Sequence, residues 1–181
     1  MQYRESFTSK PGQKITIRSC LAADGEAVLE VFRLSHQETD FLLAYPDEVQ
    51  MDAQQEGSFL QCKADNPREV QLIAIDENQV VGIAGITQAG TRYKVAHRAE
   101  LGVTVLKSFW HQGIGTALMN ACIRCAREAG YSQLELTVVA ENENAVAMYQ
   151  KAGFRELGRN PKGFRTRTAG YQETIFMALD L

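Results

Sequence analysis

Apolar and polar residues alternate in short runs along the chain and predict strands interleaved with helices. Residues 15–18 alternate as a half-buried strand does, and residues 22–37 carry apolar side chains at helical spacing. The Tyr45-Pro46 pair interrupts the pattern, and a second helix is predicted after it, within residues 39–63. We interpret this stretch as a lid or as the wall of a substrate site.

A β-hairpin and a strand-turn-helix unit are predicted next. Residues 70–75 and 80–87 are apolar runs separated by a polar turn, which indicates a hairpin. A third run, 96–106, predicts a strand that leads into the segment His111-Gln112-Gly113-Ile114-Gly115. A helix with one apolar face begins there, and Gly130 is a natural residue for its end.

The remaining residues predict three more strands and one short helix. The strands cover residues 134–139, 154–158 and 172–179, the helix covers 142–151, and a basic loop covers 159–167. This order predicts one α+β domain with a mixed sheet over residues 1–181. The first 13 residues are polar and are expected to be flexible.

Composition narrows the class of protein. A chain of 181 residues that is 45% hydrophobic is long enough to bury one sizeable core. Its net charge of -3 argues against a nucleic-acid partner, and no apolar run reaches the length that crosses a bilayer. We expect a soluble, unexported protein without a membrane partner.

Cysteine usage indicates a reducing compartment, which we take to be the cytoplasm. The chain has four cysteines, Cys20, Cys62, Cys122 and Cys125, and this number is typical of free thiols in a chain of this length. Cys122 and Cys125 have the spacing of metal ligands, but they lie on the apolar face of a predicted helix without a second pair. Buried thiols are therefore favoured, and no metal site is expected.

The two glycines before the predicted helix are the first sign of chemistry. Gly113 and Gly115 allow the backbone N–H groups of residues 112–116 to converge on one point, where the helix dipole also favours an anion. A pyrophosphate fits such a site, although two glycines before a helix often only turn the chain. A site for ATP or a dinucleotide would need a G-x-G-x-x-G or G-K-[ST] motif, which the chain lacks.

A second motif makes the assignment specific. About 27 residues after the glycines comes the sequence Asn142-Glu143-Asn144-Ala145-Val146-Ala147-Met148-Tyr149-Gln150-Lys151-Ala152-Gly153-Phe154. With Gln112-Gly113-Ile114-Gly115, this run resembles the GCN5-related N-acetyltransferase (GNAT) superfamily. The resemblance covers residues 15–179 in the order of elements and is most specific between residues 100 and 154.

The resemblance implies acetyl-CoA as co-substrate and a sheet splayed between the fourth and fifth predicted strands, with the pantetheine arm in the gap. The implied cofactor-binding residues are Val103, Thr104 and Val105 on the fourth strand, Gln112, Gly113, Ile114, Gly115 and Thr116 at the glycine turn, and Asn142 and Lys151 in the second motif. The family usually has Arg or Gln three residues before the first glycine, where this chain has Trp110. We expect Trp110 to pack under the helix.

Acetyl transfer needs a base for the amine and an acid for the departing thiolate. Tyr149 matches the frequent general acid of the family. Glu100 lies five residues before Val105, where histone-acetylating members carry a catalytic glutamate, so it is the candidate base. A solvent-facing strand carboxylate is an equally open interpretation of Glu100, and His97 and His111 are weaker candidates.

The acceptor is the least determined part of the prediction. Residues 34–62 contain six acidic residues and no lysine or arginine, which favours a cationic amine or simply a solvated face. Four basic residues of the predicted loop, Arg159, Lys162, Arg165 and Arg167, suit an acceptor carboxylate or an exposed hairpin equally well. A small amine or amino acid is favoured as acceptor; a protein N-terminus or lysine, and a non-catalytic acyl-CoA sensor, remain alternatives. The resemblance also makes a homodimer plausible.

Overall fold

The computed structural model describes residues 1–181 as one mixed sheet with helices on both faces. The strands are β1 Arg4–Thr8, β2 Lys14–Ser19, β3 Val70–Asp76, β4 Gln79–Gln88, β5 Arg98–Val105, β6 Gln133–Val139, β7 Arg155–Thr166 and β8 Gly170–Asp180. The helices are α1 Gly25–Glu38, α2 Ala53–Asp65, α3 Ile114–Glu128 and α4 Glu143–Lys151. The α+β class predicted from the sequence is confirmed.

The sheet is continuous at one end of β5 and open at the other. Strands follow the order β1-β2-β3-β4-β5-β6-β8-β7, and every neighbouring pair except β5 and β6 is antiparallel. Those two parallel strands pair only from Arg98 to Glu100, whereas β5 continues to Val105. The expected splay is therefore confirmed. The strands predicted as the fourth and fifth are β5 and β6 in the structure, because β1 was not predicted.

Two apolar clusters hold the helices on opposite faces of the sheet. The larger, of 27 buried residues, joins the sheet to the stripe of α3 at Ile114, Leu118, Cys122 and Cys125 and also holds Tyr149 of α4. The smaller, of 7 residues, packs α1 and α2 against the other face.

Two segments differ from the sequence-based expectation. Residues 4–8, expected to be flexible, form β1 and pair with β2 along its whole length. Residues 159–167, expected to be a loop, belong mostly to β7, whose first nine residues are all exposed. An edge strand that is solvated on both faces has no apolar alternation, and Pro161 is tolerated there because an edge strand need not donate every hydrogen bond.

None of the helices is both long enough and apolar enough to cross a membrane. All four cysteines are free thiols, and burial raises the pKa of Cys122 and Cys125.

Candidate active site

The turn before α3 presents a row of unused backbone donors. His111 has a φ of 62° and Gly113 a φ of 93°, so the chain curls left-handed twice within three residues. The N–H groups of residues 111–116 donate to no acceptor within the protein; the first N–H that bonds across the turn is that of Ala117, to the Gly113 carbonyl at 3.0 Å. Such a nest of N–H groups at a helix N-terminus binds anions.

The glycines leave this turn open. A Cβ placed on Gly113 would meet no atom within 4 Å, and one placed on Gly115 would come no closer than 3.5 Å to the Met148 sulfur. Ile114 is buried and anchors the helix in the core, whereas Thr116 is exposed. The side-chain amide of Gln112 turns back to the Ser108 carbonyl at 3.1 Å, so Gln112 offers the turn its backbone alone.

The splay of the sheet gives β5 a second set of free donors. The Leu106 N–H bonds to Val81 on β4 at 2.9 Å. Backbone groups alternate along a strand, so the N–H groups of Val103 and Val105 point away from β4, toward the gap. Thr104 differs, because its backbone faces β4 and only its side chain can border the gap.

Trp110 has a role that the sequence did not indicate. Its indole N–H donates to the Val105 carbonyl at 2.7 Å and so satisfies the acceptor that the splay leaves without a strand partner. The residue is partly exposed, and it is not among the side chains packed against the large apolar cluster that holds α3. A side chain used in this way has no donor left for a phosphate.

Helix α4 brings Tyr149 to the same gap. The ring is 7% exposed and packs edge-on against Phe154, with centroids 5.7 Å apart. Its hydroxyl makes no hydrogen bond within the protein, and burial, assisted by the Cys122 thiol, raises the pKa of Tyr149 to about 12. The phenol therefore remains protonated at neutral pH and has a free proton to donate.

The other two residues of the second motif lie nearby. Asn142 caps α4 through its carbonyl oxygen, which accepts from the Ala145 N–H at 3.3 Å, so its amide NH₂ group stays free. Lys151 ends the helix, is exposed and forms no ion pair.

One continuous cleft of about 1540 Å³ joins these groups. It is lined by Val103, Thr104, Val105, Gln112, Gly113, Gly115, Thr116, Asn142, Tyr149 and Lys151, which are ten of the twelve predicted site residues. The Ile114 side chain is buried and does not line the cleft, although its N–H belongs to the donor turn, and Glu100 is not brought into the cleft.

Glu100 is exposed on β5, opposite Thr87 on β4 and Glu135 on β6. It shares a sheet face with Gly102 and Thr104, which do line the cleft, and lies about 7 Å along the strand from Gly102. Contact with an amine at the gap would therefore require an intervening water or a movement of the side chain, and its role as base stays a prediction.

Lys10 is a cleft residue that the sequence did not point to. It follows β1, and its backbone N–H donates to the Gln112 carbonyl at 3.2 Å, so its side chain stands beside the donor turn. It is exposed and has no ion-pair partner. No local signal marks it, because the contact joins two residues that are far apart in the sequence.

Comparison with known proteins agrees with this geometry. A model of the acetyltransferase (GNAT) family matches residues 31–154. The L-amino acid N-acetyltransferase AaaT of Escherichia coli is 28% identical over 166 residues, which cover 91% of this chain and 97% of that protein.

Two solved structures have the same fold. The acetyltransferase of the GNAT family from Streptococcus pneumoniae superposes with a TM-score of 0.88, at 27% identity over 92% of this chain and 99% of that one. The putative acetyltransferase yncA from Salmonella typhimurium, solved with its cofactor acetyl-CoA, superposes with a TM-score of 0.82 over 92% of this chain and 94% of that one, at 18% identity.

Proposed function

Because the chain belongs to the acetyltransferase (GNAT) family, we propose that it transfers the acetyl group of acetyl-CoA to the primary amine of a small molecule or amino acid. The observation that carries this proposal is the cleft itself, in which a row of free N–H groups and a splayed strand meet a buried phenol. Its volume of about 1540 Å³ exceeds the ~300–1,000 Å³ of most single-ligand sites and leaves room for two substrates.

The residues present fit CoA. The six free N–H groups at residues 111–116, at the positive end of α3, suit a pyrophosphate. The unpaired lysines Lys10 and Lys151 border the same cleft and add positive charge. The gap between β5 and β6 suits a chain that carries its own amides, as pantetheine does. When bound, acetyl-CoA supplies the activated thioester.

In this proposal the protein positions the reactants, accepts a proton from the amine and donates a proton to the departing thiolate. The N–H groups of Val103 and Val105 face the gap, where one can donate to the carbonyl oxygen on which negative charge grows. As the amine nitrogen forms a bond to the acetyl carbon and the carbon–sulfur bond breaks, Tyr149 donates a proton to sulfur. Glu100, acting through water, takes the proton that the nitrogen loses.

Calorimetry with acetyl-CoA, followed by measurement of thiol release with a panel of amines, tests the proposal. Micromolar binding with release of free CoA supports it. Binding without release by any amine, peptide or lysine-bearing protein favours the acyl-CoA sensor, and absence of binding refutes acetyl-CoA as the co-substrate. Release with peptides or proteins alone favours the protein acetyltransferase.

A further inference from the structure

A short segment closes one side of the cleft. We name residues 39–48, between α1 and α2, the roof. At its start, the Glu38 carboxylate accepts from the Lys107 N–H at 2.7 Å, just beyond the end of β5. At its far end, Arg167 in the turn between β7 and β8 bonds to Asp47 at 2.9 and 3.0 Å. The roof therefore spans the splay from β5 to the β7–β8 hairpin.

Two further contacts hold the roof to the hairpin. The Thr168 hydroxyl donates to Asp40 at 2.9 Å, and the Arg167 N–H donates to the Tyr45 hydroxyl at 2.8 Å. The Arg167 guanidinium also stacks over the Tyr45 ring at 4.1 Å. These charges bond to each other across the rim, so they are engaged before any acceptor arrives.

The remaining basic residues of the hairpin are engaged as well. Arg159 bonds to Glu156 and Glu173, while Lys162 and Arg165 stack on Tyr171. Asp47 and Arg167 form an ion pair between the acidic segment and the hairpin, and Arg159 pairs with glutamates of the hairpin itself, so neither arginine offers a free charge to an acceptor.

The inner surface beneath the roof carries no charge. The roof contributes Phe41, Leu42 and Leu43 to the cleft, and β7 contributes Phe164. The other lining residues from α1, the roof and the hairpin bear hydroxyl groups or are glycine. Phe41 and Leu42 are partly buried, whereas Leu43 is 89% exposed.

Every charged residue that lines the cleft lies elsewhere. Those residues belong to β1 and its turn, to α3, or to α4 and the loop before it, and they are Glu5, Lys10, Arg124, Glu141, Glu143 and Lys151. The cleft is thus charged along the elements that carry the donor turn and uncharged along the roof and the hairpin.

We propose that the acceptor is a primary amine attached to an uncharged apolar group of about leucine to phenylalanine size, which packs between the roof and Phe164. The inference rests on the proposed function and adds the class of acceptor. A charged substituent would lose its hydration beneath the roof without gaining a partner. Burial of a leucine- or phenylalanine-sized group favours such an amine by about 10- to 100-fold.

The test compares matched amines by thiol release at saturating acetyl-CoA. We expect leucine, phenylalanine and phenethylamine to exceed lysine, glutamate and serine in kcat/KM by about 10-fold or more. Equal or higher values for an amine that carries a charged side chain, or turnover of proteins alone, would overturn the inference. If acetyl-CoA does not bind in calorimetry, the proposed function fails and the inference fails with it. Binding with equal or faster turnover of amines that carry a charged side chain refutes the inference alone.

A pair of variants assigns the preference to the roof side of the cleft. Phe164→Ala should raise KM for phenylalanine about 10-fold while KM for acetyl-CoA stays unchanged. Phe176→Ala, on β8 and outside the cleft, removes a ring of the same size and should change neither constant. Thermal unfolding confirms that both variants fold. A Phe164→Ala enzyme with unchanged KM for phenylalanine, or equal shifts in the two variants, would contradict this packing.

Discussion

Replacement of Gly113 by alanine separates the cost of backbone strain from the loss of a ligand site. Gly113 has a φ of 93°, and a Cβ there would meet no protein atom within 4 Å, so the fold suffers strain but no clash. Holding alanine at such a φ costs about 1–2 kcal/mol. For a protein of this size the melting temperature should fall by about 2–8 °C.

The effect on CoA should be larger than the effect on stability. If the alanine relaxes toward negative φ, the N–H groups around it turn away from the point on which they converge. A hydrogen bond to a charged group contributes about 1.5–3 kcal/mol, so the loss of one such bond raises the Kd for CoA by about 10- to 150-fold. Isothermal calorimetry measures the affinity and scanning calorimetry measures the melting temperature.

Gly130, at the other end of α3, provides a matched control. It too has a positive φ, 76°, with no atom within 4 Å of its Cβ position, and it does not line the cleft. Gly130→Ala should lose similar stability and bind CoA like the unchanged protein. If the two variants lose CoA affinity equally, or if Gly113→Ala binds normally, the donor turn is not the phosphate site.

Three other substitutions test single side chains. Tyr149→Phe should lower kcat about 100- to 10,000-fold with nearly unchanged affinity for acetyl-CoA, and normal turnover would show that Tyr149 is not the acid. Because burial raises the pKa of Tyr149 to about 12, ionisation of this phenol should not reduce the activity of the unmutated enzyme until the pH approaches that value. Glu100→Gln should depress the rate most at low pH, where the amine is protonated, and an unchanged pH–rate profile would assign the base elsewhere. Lys10→Gln should raise the Kd for CoA and for 3′-dephospho-CoA alike, by about 2- to 5-fold at low salt. Lys14→Gln on β2 serves as the control. An effect on CoA alone would indicate that Lys10 contacts the 3′-phosphate and not the pyrophosphate.

The sequence was most informative where local signals agreed. At α3, a preceding strand, two glycines and an apolar stripe coincide, so both the helix and its donor turn were predicted from residues 111–125. The motif at residues 142–154 likewise located α4 and Tyr149.

Pairing between distant residues left no such signal. β1 and β7 are the two edge strands of the sheet. β1 and most of β7 are extended because they pair with β2 and β8, and their own apolar and polar pattern does not predict a strand. The Asp47–Arg167 pair joins residues 120 positions apart, and each charge alone suggested a substrate contact. The bond from Trp110 to Val105 depends on the splay, which no run of residues encodes by itself.

The short pairing of β5 with β6 gives the sheet a third edge, in its interior. Strand edges with unpaired N–H and C=O groups invite pairing with other chains, and proteins usually shield them. Here the edge must stay open for a small molecule, so we expect the ligand-free protein to aggregate more readily than the protein with CoA bound. CoA at about 100 times its Kd adds about 2.7 kcal/mol of stability, which makes it a useful additive whenever the protein is concentrated or stored.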